Sequence, residues 1–127
     1  MTAQQDLTFY AKRDNTVDVS IITNAGNPVD LTGYDLVLTI KALLTDADTA
    51  ALYQGAPAFF NPPFGKFSFL VPLATTGAAA WAAATSGVHD ISAITPSGYA
   101  VTLLAGTSTI VQPVTQTIPP LPLAAVT

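Results

Sequence analysis

Alternation of apolar and polar residues dominates the chain. In TVDVSIIT (16–23), Val17, Val19 and Ile21 fall on one face and Asp18 and Ser20 on the other, the signature of a strand with one buried side. The turn-forming run Asn24-Ala25-Gly26-Asn27-Pro28 ends it. DLVLTIKAL (35–43) repeats the pattern, with Leu36, Leu38 and Ile40 set against Asp35, Thr39 and Lys41. In GKFSFLV (65–71), Phe67, Phe69 and Val71 point inward, Lys66 and Ser68 point outward, and Pro72 stops the strand.

Residues 73–84, LATTGAAAWAAA, lose the alternation and are rich in helix-favouring Ala, which predicts one short helix. Leu73, Gly77, Trp81 and Ala84 share a stripe at helical spacing, with Trp81 as the plug that pins the helix to the sheets. GVHDISAIT (87–95), a Pro96-Ser97-Gly98 turn and YAVTLLAGTSTIV (99–111) predict a hairpin, with Gly106 marking a bulge or bend. DLTFYAKR (6–13) supplies a first strand and brings the count to six or seven. Closely spaced strands joined by tight turns predict an all-β, antiparallel β-sandwich of about seven strands over residues 1–112. The segment 44–63 reads as a long loop, functional or mobile. Residues 113–127 are expected to be an extended Pro-rich arm, because four prolines in that stretch disfavour a regular helix or a central strand.

Composition narrows the function. Only 9% of the 127 residues are charged, against about 25% in an ordinary domain. All eight acids are Asp, and the four basic residues are Lys12, Arg13, Lys41 and Lys66. That basic set is too small to neutralise a run of phosphates, so no nucleic-acid partner is expected. No apolar run approaches the ~20 residues a bilayer needs, and the first residues lack the charge and hydrophobic pattern of a signal peptide. The 50% hydrophobic content includes 21 Ala, and 18 Thr stand beside it, so the composition is small-residue and hydroxyl-rich. With no Cys there is no disulfide, thiolate metal site or Cys nucleophile.

Several segments in order resemble a known family. VDLTGYDLVLTIK (29–41), FGKFSF (64–69), the Ala-rich segment 73–84, GVHDI (87–91) and LLAGTSTIV (103–111) are similar to small immunoglobulin-like modules of tailed-bacteriophage virion proteins. Those modules share a DLTG turn into a strand, a G-K strand, a short helix, a strand of G-x-Y-x-Y-D-V type and a closing L-x-G-T-x-x-V strand. The likeness spans about residues 6–112. His89 stands where the family often has Tyr, and segment 44–63 is longer and more aromatic than usual. The resemblance implies an immunoglobulin-like sandwich with a structural or attachment role in a virion. It implies no catalytic site.

Catalytic patterns are weak. His89 and Asp90 are the only His/acid neighbours, but adjacent strand residues face opposite ways, so a satisfied sheet histidine is expected. Asp46-Ala47-Asp48-Thr49 superficially matches an aspartate-nucleophile phosphotransferase motif, which needs a parallel α/β sheet. A Ca²⁺ site on Asp46 and Asp48 fits hard-cation chemistry better, and a solvated loop better still. No enzyme, cofactor or metal is expected.

Partner binding is placed on apolar surface. Candidates are Tyr53, Phe59, Phe60 and Phe64 in the aromatic segment and Ile118, Pro119, Pro120, Leu121, Pro122 and Leu123 in the arm. Pro119–Pro122 also fits a P-x-x-P ligand, although an arm lying on a neighbouring subunit is preferred. The leading expectation is a capsid decoration or cement protein bound to neighbouring shell subunits, present in the virion in many copies or as a homo-oligomer. A neck, tail or baseplate subunit is the second. From another class comes a carbohydrate-binding or host-adhesion module that stacks sugars on the four aromatics.

Overall fold

The computed structural model describes residues 3–112. The predicted arm, with Ile118 to Leu123, lies outside the described residues. The strands are β1 (Ala3–Gln4), β2 (Leu7–Tyr10), β3 (Asn15–Ser20), β4 (Asp35–Lys41), β5 (Tyr53–Gly55), β6 (Phe59–Asn61), β7 (Lys66–Val71), β8 (Ser86–Ile94) and β9 (Ala100–Val111). Two one-turn helices, α1 (Leu73–Thr76) and α2 (Ala79–Ala82), precede β8. The strands form two sheets. The larger runs β1–β9–β8–β4–β5, with β2 also on β9, and the smaller runs β3–β7–β6. The fold is an all-β sandwich, as the alternation predicts.

The inward residues of each strand make the core. Leu36, Leu38 and Ile40 of β4, Ile91 and Ala93 of β8, and Leu104 and Ile110 of β9 face Val17 of β3 and Phe67, Phe69 and Val71 of β7. Phe67 and Phe69 meet edge to face at 5.7 Å. Trp81 is buried as expected, edge-on to Phe9 at 6.1 Å, and its Nε1 donates to the Leu52 carbonyl at 2.9 Å. Full burial of each such side chain is worth about 1.5–3 kcal/mol.

The DLTG run owes its shape to two local effects. Asp30 Oδ1 accepts hydrogen bonds from Thr32 N (2.9 Å) and Thr32 Oγ1 (2.6 Å), and Gly33 takes φ +85°, which closes the Leu31 O to Tyr34 N turn at 3.0 Å. Leu31 is thereby driven into the core.

Five details depart from the sequence reading. The first strand is two pieces, β1 and β2, and both pair parallel with β9, so the larger sheet is mixed. Alternation encodes which face is buried but not strand direction. The single helix is two turns, because Ala78 is extended (φ −69°, ψ 158°) and interrupts it after Gly77. Leu73 is consequently exposed, and Thr76 is the buried residue of α1; its hydroxyl donates to the Arg13 carbonyl at 2.6 Å. The segment 44–63 is no simple loop: β5 extends the large sheet beside β4 and β6 extends the small sheet beside β7, so this stretch carries the chain from one sheet to the other. The bulge of β9 falls at Leu103, where pairing shifts from Ile91–Leu104 to Ser92–Thr102, rather than at Gly106. Gly106 is needed for a different reason, close approach of the Gln5 backbone.

Candidate binding face on the large sheet

The outward residues of the large sheet line a cleft of about 500 Å³. Its floor is the outward set dictated by alternation: Val37, Thr39 and Lys41 of β4, Val88, Asp90 and Ser92 of β8, and Ala105 and Thr107 of β9. Gln4 and Asp6 form one wall, and Gln54, Leu44 and Asp48 form the other.

Polar contacts fix both walls. Lys41 Nζ pairs with Asp48 Oδ1 at 2.8 Å, and the lysine beside it holds the Asp48 carboxyl below the usual carboxylate range. Gln54 Nε2 donates to Thr39 Oγ1 at 3.1 Å, which covers the threonine although it points outward. Across the cleft, Asp6 Oδ1 accepts from Thr107 N at 3.2 Å and Thr107 Oγ1 at 2.9 Å, and these bonds lower its pKa. Ser92 Oγ donates to Asp90 Oδ1 at 3.2 Å. The cleft therefore presents hydroxyl, amide and carboxylate oxygens with a single ammonium. Val37, Leu44, Val88 and Ala105 lie among these groups, so the face joins apolar area to hydrogen-bonding side chains.

Asp46 and Asp48 do not converge. Asp46 Oδ2 accepts from Leu43 N at 3.1 Å, whereas Asp48 is engaged by Lys41. The mixed sheet around them is not the parallel α/β scaffold that aspartate-nucleophile chemistry uses.

His89 lies beneath the cleft floor, 4% exposed, while Asp90 faces the cleft. The imidazole Nε2 lies 2.9 Å from the Gln5 carbonyl and Nδ1 lies 2.6 Å from Ser108 Oγ. A carbonyl only accepts, so Nε2 carries the proton and the Ser108 hydroxyl donates to Nδ1. Burial pushes the His89 pKa below its ordinary value, against weaker opposing effects from the Gln5 bond, Asp6 and Asp90. Ser108 is 2% exposed, so this Ser–His pair is shut off from any substrate carbonyl. Its geometry ties the link between β1 and β2 to β8 and β9.

The four predicted aromatics are dispersed. Tyr53 on β5 packs against the core from the large sheet, and burial raises its phenol pKa. Phe60 on β6 faces inward, edge-on to Phe67 at 6.3 Å. Phe59, on the outer face of the small sheet, is 54% exposed, and Phe64, in the 3-10 turn Pro62–Phe64, is 55% exposed. They make no common stacking platform. Conversely, Gln4, Asp6, Thr39, Lys41, Gln54 and Thr107, which the structure gathers at the cleft, were not singled out by sequence as a binding set. The outward positions of β4 and β8 were legible, but nothing local says that this face stays open.

No protein-family model matches the chain, and no curated protein matches it. Among solved structures, the chain is similar to the N-terminal domain of phage TP901-1 ORF48, with a TM-score of 0.52 and 9% identity over 84% of each chain. At that identity the likeness is one of fold.

Proposed function

We propose that the chain is a non-enzymatic structural accessory protein of a bacteriophage virion, an immunoglobulin-like capsid decoration or cement protein that bridges neighbouring shell subunits. The observation that carries this reading is the fold likeness to a domain of a phage protein, covering 84% of both chains. The family resemblance of the DLTG, G-K and closing-strand motifs agrees with it. Surface chemistry agrees as well. Phe59 and Leu70 stand on the outer face of the small sheet, Leu43 and Leu44 stand beside the cleft, and Tyr99 is 71% exposed at the β8–β9 turn. A solitary domain keeps such side chains few and its charge content high; this chain does neither.

A neck, tail or baseplate subunit is the second reading. The carbohydrate-binding reading has lost the stacking platform it rested on, because Tyr53 and Phe60 face inward. Quantitative mass spectrometry of purified particles tests the proposal. A copy number matching capsomers supports decoration, a number matching a ring supports the second reading, and absence from particles overturns both.

A further inference from the structure

We propose that the cleft on the large sheet is a docking socket for an arginine side chain presented by a polypeptide segment of a partner protein. Five cleft residues form one row across the sheet: Gln4 pairs with Ala105, Ala105 with Asp90, Asp90 with Thr39, and Thr39 with Gln54. Ala105 ends at its Cβ, so the row dips between Gln4 and Asp90, whose backbones stand two strand spacings, about 10 Å, apart. Asp6, bonded to Thr107 on the same face, rims this hollow beside Gln4. Val88 continues its floor.

Charge complementarity selects the occupant. The cleft holds three carboxylates, Asp6, Asp48 and Asp90, and one ammonium, Lys41, which is committed to Asp48 in the wall beside β5. Among the described residues Asp6 and Asp90 face no cation, and each uses Oδ1 alone, for Thr107 and for Ser92. Asp90 is partly buried at the middle of the sheet, where a carboxylate gains more from a cation than it does at an open rim. The other basic side chains belong elsewhere: Lys12 and Arg13 follow β2 beside α1, and Lys66 is on the small sheet. A guanidinium offers five N–H donors to the two remaining Oδ2 atoms and the Gln4 amide oxygen, while its aliphatic stem lies along Val88 and Ala105. A saccharide finds no Phe, Tyr or Trp face here on which to stack.

The flanks of the hollow favour a polypeptide over a small guanidine. Leu44 at the rim is 79% exposed and Val37 is only partly covered, apolar area that the neighbours of an arginine in a peptide would bury and a small cation would leave in water. This choice of source rests on the virion-subunit reading above.

The test uses purified full-length protein without particles, so its failure and that of the virion reading are distinguishable. The ¹⁵N-labelled chain is titrated with the capped peptide acetyl-Ala-Val-Arg-Val-Ala-amide, its citrulline counterpart, and arginine amide. The expected result is saturable shifts of the Val88, Asp90, Ala105 and Thr107 amides with the arginine peptide, weakening as salt rises, and about tenfold weaker binding of the uncharged citrulline peptide. Asp90→Asn and Asp6→Asn each keep an Oδ1 acceptor for Ser92 or Thr107 and remove only the charge. Each should weaken binding about threefold and the pair about tenfold, whereas Asp18→Asn on the small sheet should leave it unchanged. No saturable shift at the cleft, equal binding of the citrulline peptide, or equal loss from Asp18→Asn overturns the proposal. Arginine amide binding as tightly as the peptide overturns the polypeptide occupant. Trp81 fluorescence checks that each variant is folded.

Discussion

Gly106 stands opposite His89 in the β8–β9 ladder, and its missing side chain is what lets the Gln5 carbonyl reach the imidazole. A Cβ at position 106 would overlap the Gln5 carbonyl and lie 3.2 Å from His89 Nε2. The obstacle is backbone, which cannot swing aside. Gly106→Ala should therefore cost about 1–3 kcal/mol, seen as a lower midpoint in urea with an unchanged slope. An unaltered midpoint would show that β1 and β2 are not held against β9 as described.

The same histidine sets a pH dependence. Its folded pKa lies below the ordinary 6.5, so on acidification the unfolded chain takes up the proton first. Stability contributed by neutral His89 is complete above about pH 6.5 and declines as pH falls toward the depressed folded value. Asp6, Asp30 and Asp48 act in a separate window: their pKa values lie below 3.8, so their contribution is lost only in stronger acid. Urea midpoints across about pH 4.5 to 8 should slope downward on the acid side. His89→Gln should flatten that slope.

Trp81 is the only tryptophan and is 1% exposed. Its emission should be blue-shifted and resistant to iodide in the folded protein, with a red shift on unfolding. Trp81→Ala should destabilise by about 3–5 kcal/mol. Trp81→Phe keeps much of the volume but strands the Leu52 carbonyl, so a smaller loss is expected, and calorimetry should rank the two in that order.

Truncation after Gln112 separates folding from assembly. All the core residues described belong to residues 9–110, so the truncated protein should keep its urea midpoint within experimental error. Incorporation into particles, measured by sedimentation with virions, should be abolished. Normal incorporation would remove the arm from the proposed attachment.

Most of the core was legible because β3, β4, β7 and β8 each bury every second residue, and period-2 patterning survives wherever one face is covered. Strands β5 and β6 were hidden because three residues are too few to show a period, and their partners are set by the sheets they join. Gly106 was recognised as special, but for the wrong reason: a glycine in a strand marks either a bulge or a close approach, and only the position of Gln5 distinguishes them. The cleft draws on β4, β5, β8, β9 and the N-terminal segment, so its polar set has no contiguous signature. Phe59 and Phe60 show the same limit at one step of sequence, since one faces solvent and its neighbour the core.

The parallel pairing of β2 with β9 gives the domain a mechanical character. Leu7 to Tyr10 run beside Ser108 to Val111 in the same direction, so the two ends of the described chain leave from opposite ends of the sandwich. Tension applied between those ends pulls the neighbouring strands in opposite senses along their length. The ladder is then loaded in shear, with its hydrogen bonds strained together instead of unzipped one by one. A module tethered through its termini would hold as a clasp.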